Sequence, residues 1–371
     1  MNKMRFLSVV FAAALLSLVV SGTGRFAAAE TSNSAAAGAV FTMTNSASGN
    51  SIVAYDRAAN GSISIAGTFP TGGSGTGAGL GSQGSITTAD NGHWLLAVNA
   101  GSNEISVFKL TKNPALSLTL TDKVSSNGIR PISITASGNV VYVLDNGTTS
   151  AGNIAGYHLE SGKLFAIPHS IKPLSGVAAA AQISFNPQGN LLIVTEKSTN
   201  TIDTYTVDPK GVASGPVLNT SRGITPFGFA VDNRGHIVVS EAVSGALSSY
   251  SVSKSGALTT ISGSVTDGYA AACWVVITSD DKIAFTTNAH SNTISSYSIA
   301  GNGSLSLLQG LSASTDAAPT DMALSHGSKY LYVVDSGTSE IQAFKVHSDG
   351  TLGLIQTVGS VKGIVGLAAA N

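Results

Sequence analysis

The chain of 371 residues carries 19 basic and 20 acidic residues, which gives a formal net charge of −1. The near-neutral balance argues against the clustered positive charge that binds nucleic acid, and charged residues make up only 11% of the chain, so we expect no nucleic-acid partner. Hydrophobic residues make up 43%, which is enough to bury a core. The length alone allows two or three domains or one large all-β domain.

The chain begins with the pattern of a secretory signal peptide, which we assign to residues 1–29. Lys3 and Arg5 form a positive segment, residues 6–20 are apolar, and Ala27–Ala29 provide an A-x-A cleavage site. An uncleaved N-terminal anchor is the alternative, because the apolar run is near the shortest length that spans a bilayer. Cleavage predicts a secreted or periplasmic protein with no membrane contact.

The segment 30–38 is rich in Ala and Ser and is expected to be a flexible mature N-terminus. The chain has one cysteine, Cys273, so an internal disulfide and a cysteine-based zinc site are both excluded. Cys273 lies in the apolar run 270–276, which predicts a buried structural thiol.

Residues 39–371 contain seven copies of one pattern: a strand, a polar loop, and a second strand that ends near an aromatic residue. The copies are spaced by about 45 to 53 residues, a period typical of β-propellers. The aromatic markers of the seven copies are Tyr55, Phe108, Tyr157, Tyr205, Tyr250, Tyr297 and Phe344.

Each copy also has a strand before this pair and a strand after it, often introduced by a Gly-x-Leu turn such as 256–258. The first copy lacks its leading strand, whereas a spare strand, 363–369, follows the last copy. We therefore predict an all-β, seven-bladed β-propeller with four-stranded antiparallel blades, in which the C-terminal strand closes the first blade. No linker divides residues 39–371, which predicts a single domain.

The repeat sequences resemble those of the lactonase-type seven-bladed propellers, a group that includes bacterial 6-phosphogluconolactonases and fungal carboxymuconate cyclases. The segments that carry the resemblance are VNAGSNEISVF (98–108) and TNAHSNTISSY (287–297). The Gly-x-Leu turn is similar as well, and the resemblance extends over about residues 39–370. It implies a lactonase-like propeller. A related group with Tyr-Val-Thr-Asn repeats looks similar and consists largely of surface or binding proteins.

In such a meander the innermost strand begins, and the second strand ends, on one face around the mouth of the central channel. Polar residues at these strand ends are therefore our candidates for the site. The second strands end at Asn45, Asn99, Asp145, Glu196, Glu241, Asn288 and Asp335, and the innermost strands open at Gln83, Arg130, Gln182, Phe227, Trp274 and Asp321.

Glu196 and Glu241 come from consecutive blades, and two nearby carboxylates raise each other's pKa and suit a general base. Arg130 is a candidate for binding a substrate carboxylate or a developing oxyanion. We predict these three as catalytic residues. The alternative is that strand-end side chains cap the following loops through backbone hydrogen bonds, a role that the repeated asparagines suit well.

A second set of residues is predicted to bind the substrate around the mouth. It contains Asn99, Asp145, Gln182, Trp274, Asn288, His290, Asp321 and Asp335. We expect the acidic members to converge there with Arg130 and Lys197 as their neighbouring cations.

Histidines are sparse, and His290 is the one expected to approach the mouth. His93, His236 and His326 fall in turns on the opposite face. The cyclases of the resembling family use a histidine with arginine and glutamate residues, and the lack of a clear counterpart here argues against the cyclase reaction. We expect no metal or other cofactor, with an all-oxygen Ca²⁺ site in the acidic ring as the alternative.

The glycine-rich stretch 71–81 does not connect a strand to a helix, so it is not a phosphate loop. It predicts a long, mobile connection from the first blade to the second that ends near the mouth, with a lid as the alternative. The sequence thus favours an exported, monomeric lactonase-like propeller that hydrolyses a small lactone. The alternative is a non-catalytic propeller that binds a ligand or a protein partner at the same mouth.

Overall fold

Seven antiparallel sheets, one for each blade, make up the fold; six have four strands and one has five. The computed structural model describes residues 36–113, 115–148, 151–177 and 179–371. The predicted signal peptide and most of the segment 30–38 lie outside the described residues. No helix in the described ranges is long and apolar enough to cross a membrane.

Strands follow one another along the chain and are separated by turns and loops. In the described part the only helical elements are two short 3₁₀ turns, Asp90–Gly92 and His326–Ser328. The strands of the first three blades are β1 (Gly38–Met43), β2 (Ser51–Arg57), β3 (Ile63–Pro70), β4 (Ile86–Ala89), β5 (Trp94–Asn99), β6 (Glu104–Thr111), β7 (Ser117–Ser125), β8 (Pro131–Ser137), β9 (Val140–Asp145), β10 (Asn153–Glu160), β11 (Lys163–Ala166) and β12 (Lys172–Pro173).

The other strands continue the same order around the ring. They are β13 (Ala180–Phe185), β14 (Leu191–Glu196), β15 (Thr201–Val207), β16 (Ala213–Thr220), β17 (Pro226–Val231), β18 (Ile237–Glu241), β19 (Ala246–Val252), β20 (Leu258–Thr266), β21 (Ala272–Ile277), β22 (Ile283–Asn288), β23 (Thr293–Ile299), β24 (Leu305–Ser314), β25 (Pro319–Leu324), β26 (Tyr330–Asp335), β27 (Glu340–Val346), β28 (Leu352–Gly359) and β29 (Val365–Ala370).

The C-terminal strand closes the ring as predicted. Blade 1 has the strand order β29-β1-β2-β3, and β29 pairs antiparallel with β1 from Ala39 opposite Ala370 to Met43 opposite Val365. The last strand therefore occupies the innermost position of the first blade and covers the edge of β1. Blade 3 differs from the others, because β11 and the two-residue β12 both pair with β10.

The aromatic markers lie at the contacts between blades. All seven are buried, with at most 1% exposure, and several hydroxyl groups among them bond to the end of the preceding blade. Tyr205 donates to the carbonyl of Pro173, and Tyr157 to that of Ser125, over 3.0 and 2.8 Å. Tyr250 accepts the N–H of Arg222 at 2.8 Å. The same side chain thus fills the core and ties adjacent blades together.

Candidate functional site

The mouth face is defined by the residues at which the innermost strands begin. In blades 3 to 7 the residue just before this strand has a left-handed backbone although it is not glycine; for Arg130 φ is 61°. The N–H of Arg130 is held by the side chain of Asn103 at 2.8 Å, and its carbonyl accepts the N–H of Asn146. Side-chain hydrogen bonds therefore fix an unfavourable backbone conformation at the rim.

A segment of the chain crosses the channel just below this face. Ser82 and Gln83 precede β4 of blade 2, yet the Gln83 side chain bonds both the N–H and the carbonyl of Val275 in blade 6, at 3.0 and 2.7 Å. The N–H of Gln83 donates to Ala181 of blade 4, and the Ser82 hydroxyl donates to Ile132 of blade 3. The segment therefore spans the channel between blades 3, 4 and 6.

The glycine-rich stretch that precedes this crossing is fixed in place and is not the loose connection we expected. The side chain of Asn45 donates to the carbonyl of Ala78 and accepts the N–H of Thr76. The N–H groups of Gly75 and Gly77 donate to backbone carbonyls of the β1–β2 loop. These bonds anchor the stretch to blade 1 on its way to the mouth.

A pocket of about 440 Å³ lies on the mouth face beside the crossing segment. Its walls include Leu80 and Ser82 of that segment, Trp274 of blade 6, and Asp321 of blade 7, while residues 363–366 line the side toward blade 1. The structure thus places Trp274 and Asp321, two of the predicted substrate-binding residues, in one pocket.

Asp321 is the acid of this pocket. It is 3% exposed, and burial raises its pKa well above the ordinary range, while the backbone N–H groups of Gly84 and Met322 act in the opposite direction. A carboxyl in this environment binds its proton tightly and is a strong base when it is ionised.

Two cations lie on the other side of the crossing segment. The Nζ of Lys197 donates to the carbonyl of Gly81 and lies 4.9 Å from the centre of the Phe227 ring. The Phe227 ring packs on Trp274, with 4.8 Å between ring centres. Burial lowers the pKa of Lys197 to about 8; Cys273 opposes this shift, and the charge of Arg130 adds to it. Arg130 and Lys197 are therefore close enough for their charges to interact.

Glu196 is fully buried at the end of β14, and neighbouring residues donate hydrogen bonds to its carboxylate. Its carboxylate accepts the N–H and hydroxyl of Ser175 and the hydroxyls of Thr199 and Thr201. Asp203 lies beside it, and burial together with the charge of Glu196 raises the pKa of Asp203 to about 8. These contacts tie the exit of blade 3 to blade 4.

Glu241 has an equivalent position one blade further on. It is fully buried and accepts the N–H of Gly223 at 2.7 Å and the hydroxyls of Ser248 and Ser264. Glu196 and Glu241 share no hydrogen-bond partner, and neither lines the mouth pocket. The structure therefore gives both glutamates the contacts of a loop cap and does not bring them together.

The same arrangement recurs with other side chains at the ends of second strands. Asn99 donates to Ser106, and Asn288 donates to Ser295, each over 2.8 Å, and both asparagines are fully buried. Asp145 accepts the hydroxyl of Ser126 at 2.6 Å, and burial raises its pKa to about 7.

Asp335 is the exception within this ring. It is fully buried, and neither carboxylate oxygen has a hydrogen-bond partner among the described residues. Burial and the charges of Asp316 and Glu340 raise its pKa to about 8.

The remaining predicted residues lie apart from the pocket. Gln182 bonds both the N–H and the carbonyl of Phe229, at 2.7 and 3.0 Å, and so joins blades 4 and 5. His290 is exposed on its loop. No group of three or more His, Cys, Asp or Glu side chains in the described ranges could hold a metal ion. Burial raises the pKa of Cys273 to about 12, so this residue stays a neutral thiol.

The repeat pattern predicted which strand ends lie around the mouth, but it did not predict that a segment with Ser82 and Gln83 crosses the channel there. Leu80, Ser82 and residues 363–366 line the pocket, and none of them carries a group that a motif search selects. One signal was present: the interval between Tyr55 and Phe108 is the longest of the repeat, which leaves extra residues for a crossing of the channel.

A family model described as lactonase, seven-bladed β-propeller, matches residues 40–173, 160–276 and 258–366. The chain belongs to this family. A search of curated proteins gave no match.

Solved structures with the same fold include the periplasmic gluconolactonase of Pseudomonas aeruginosa, with a TM-score of 0.73, 15% identity, and coverage of 90% of this chain and 99% of that chain. A Bacteroides fragilis protein assigned provisionally as a 6-phosphogluconolactonase has a TM-score of 0.70 and 17% identity, and covers 92% of this chain and 99% of its own. At these identities the likeness concerns the fold.

Proposed function

We propose that the protein hydrolyses a small lactone of an aldonic acid in the pocket between Trp274 and Asp321. The observation that carries this proposal is the buried, proton-binding carboxyl of Asp321 in a pocket of about 440 Å³ at the mouth of a lactonase-family propeller. A volume in this range suits a single sugar ring. The gluconolactonase named among the similar structures suggests the substrate class.

Lactone hydrolysis requires a base that activates water and positive charge where the carbonyl oxygen becomes negative. In this proposal ionised Asp321 takes a proton from the attacking water. Lys197, whose Nζ donates to the carbonyl of the pocket-wall residue Gly81, supplies positive charge from the other side of the crossing segment. Protonated Asp321 then returns its proton to the ring oxygen as the C–O bond breaks, and the ring-opened product leaves as a hydroxy acid. The Trp274 indole donates to the carbonyl of Ser82 at 2.9 Å and offers its face to the sugar ring.

Glu196 and Glu241 have a structural role in this proposal, because donors that include the N–H groups of Ser175 and Gly223, from the exits of the preceding blades, occupy their carboxylates. The proposed location is the periplasm or the exterior of the cell. The N-terminal pattern supports export, and a periplasmic gluconolactonase shares the fold.

The test compares hydrolysis of glucono-1,5-lactone by the wild type, Asp321→Asn and Asp280→Asn, above the spontaneous rate. Asp280 is an exposed acid in the β21–β22 turn and serves as the matched control. We expect Asp321→Asn to lower kcat/KM by roughly 100-fold or more, because it removes the general base, and Asp280→Asn to have no effect. Binding of lactone without turnover by the wild type would instead support the non-catalytic propeller.

A further inference from the structure

Three acidic side chains lie close together at the mouth end of blade 7. Asp335 ends β26, Glu340 lies opposite it at the start of β27, and Asp316 belongs to the loop that leads into β25. Burial raises the pKa of Asp335, and the charges of Asp316 and Glu340 add to this shift, so the three carboxyls lie within range of one another. None of them lines the pocket of Trp274 and Asp321.

The loop into blade 7 carries an acid at a position where two other blades have a glycine. Gly128 and Gly223 lie three residues before the innermost strands of blades 3 and 5. A Cβ on either glycine would collide with the buried acid at the end of the second strand, which is Asp145 in blade 3 and Glu241 in blade 5. Asp316 lies three residues before β25 and so has the equivalent position. Its side chain therefore starts beside the strand-end acid of its own blade.

The residue opposite Asp335 carries a second negative charge in place of a donor. In blade 4 the residue opposite the buried Glu196 is Thr201, whose hydroxyl donates to the Glu196 carboxylate at 3.0 Å. In blade 7 the same position in the ladder holds Glu340. An ionised glutamate has no hydrogen to donate, so a contact that stabilises blade 4 is replaced by repulsion in blade 7.

The buried amide beside this pair gives its hydrogens to other acceptors. The Nε2 of Gln342 donates to Oδ2 of Asp316 at 2.9 Å and to Oγ1 of Thr357 at 3.5 Å, and its Oε1 accepts the N–H of Asp316. Asp335 is 0% exposed, and neither of its carboxylate oxygens has a partner among the described residues. A buried, unpartnered carboxyl next to two further acids has acceptor atoms that only a cation or a proton can satisfy.

No basic group in the part of the chain that the structure describes forms an ion pair with Asp316, Asp335 or Glu340. Repulsion and burial therefore disfavour the ionised cluster unless a cation binds to it. Carboxylate oxygens are the preferred ligands of hard cations, and Ca²⁺ accepts irregular shells that water and backbone oxygens complete.

We propose that this blade 7 cluster binds one Ca²⁺ ion between the carboxylates of Asp335 and Asp316, with Glu340 as a third negative charge nearby. Two carboxylates are assigned as ligands because no three His, Cys, Asp or Glu side chains in the described ranges could hold a metal ion together. Binding displaces the proton that buried Asp335 otherwise holds. The ion joins the loop before β25 to the end of β26, as loop N–H groups do at Glu196 and Glu241.

The test is calorimetric titration of the full chain, freed of metal with a chelator, with CaCl₂ and separately with MgCl₂ at constant ionic strength. Asp335→Asn and Asp316→Asn each remove one proposed ligand. Asp280→Asn is the matched control, because Asp280 is an exposed acid that pairs with Lys282 and lies outside the cluster.

We expect one Ca²⁺ per chain and binding weaker by about tenfold or more in Asp335→Asn and in Asp316→Asn, because a neutral amide replaces a charged ligand. Asp280→Asn should bind like the wild type, and Mg²⁺ should bind more weakly than Ca²⁺. The affinity should be higher at pH 8 than at pH 6, since a proton must leave Asp335.

The proposal is overturned by the absence of saturable Ca²⁺ binding, by wild-type affinity in Asp335→Asn, or by Mg²⁺ binding as tight as that of Ca²⁺. Should Asp335→Asn fail to fold, wild-type affinity in Asp316→Asn overturns it equally, because Asp316 is partly exposed and its replacement leaves the core intact.

This proposal does not rest on lactone hydrolysis, because neither proposed ligand lines the mouth pocket. The two proposals therefore fail separately. A wild type without lactonase activity leaves the calcium site standing, and an active wild type that binds no Ca²⁺ leaves the lactonase proposal standing.

Discussion

Buried acids at the ends of second strands differ in how well their charge is satisfied. Glu196 and Glu241 are surrounded by hydroxyl and backbone donors, whereas the oxygens of Asp335 have no partner in the part of the chain that the structure describes. An unpaired buried carboxylate costs free energy that a neutral isostere does not. Ionised Asp335 therefore makes the folded protein less stable than an uncharged side chain of the same shape would.

We predict that Asp335→Asn stabilises the protein by about 1–3 kcal/mol more at pH 8 than at pH 5. At the higher pH the wild-type carboxyl, whose pKa burial raises to about 8, is partly ionised without a partner. Urea denaturation at both pH values measures the difference. As a control, Asp280→Asn should lose a little stability: burial raises the pKa of Asp280, but the hydrogen bonds from Thr278 and Lys282 and the charge of Lys282 together outweigh burial and lower it.

The residue types at the mouth could be predicted from the sequence, but their orientation could not. The period places Glu196 at the end of a second strand, as the structure does. Its donor Ser175, however, comes from the exit of the preceding blade, about twenty residues away, in a loop without a recognisable motif. Asp321, by contrast, lines the pocket, and its carboxyl is contacted by the backbone N–H of Gly84 from a distant part of the chain. Such long-range contacts decide which carboxyl lines a pocket.

At the scale of elements, the strand pattern was predictable because the pair of strands with its aromatic marker repeats in all seven copies. The pairing of β29 with β1 followed from counting strands, since one was missing at the start and one was spare at the end. The crossing of the channel by Ser82 and Gln83 was not predictable, because its hydrogen bonds go to backbone groups of blades 3, 4 and 6.

Deletion of residues 363–371 should unfold the protein or cause it to aggregate. The truncation removes β29, exposes the edge of β1 and opens the ring. Thermal unfolding and size-exclusion chromatography measure the effect. A truncated protein that is monomeric and melts at the wild-type temperature would show that the closure contributes nothing to stability.

At the scale of the whole molecule, several buried carboxyls make stability depend on pH. Burial raises the pKa of Asp145 to about 7 and the pKa values of Asp203 and Asp335 to about 8. Each of these groups binds its proton more tightly in the folded than in the unfolded chain. Stability therefore decreases as the pH rises from the unfolded value near 4 to the folded values of about 7 to 8.

We predict that the free energy of unfolding is higher at pH 5 than at pH 8, with a slope of up to about 1.4 kcal/mol per pH unit for each such group. Denaturant titrations across this range measure the slope. The double variant Asp203→Asn, Asp335→Asn should have a flatter profile, because two of the titrating groups are gone. A wild-type stability that rises with pH across the range would contradict the assignment of these carboxyls.

The central claim is that the pocket beside the crossing segment binds the substrate, and a crystal structure with gluconate, the hydrolysis product, tests it most directly. We predict that the sugar chain lies against the Trp274 indole, with a hydroxyl or water at Asp321 and its carboxylate directed toward the part of the wall at Gly81, behind which Lys197 lies. Gluconate bound away from this pocket, or no binding by a crystal that tolerates saturating product, would contradict the account.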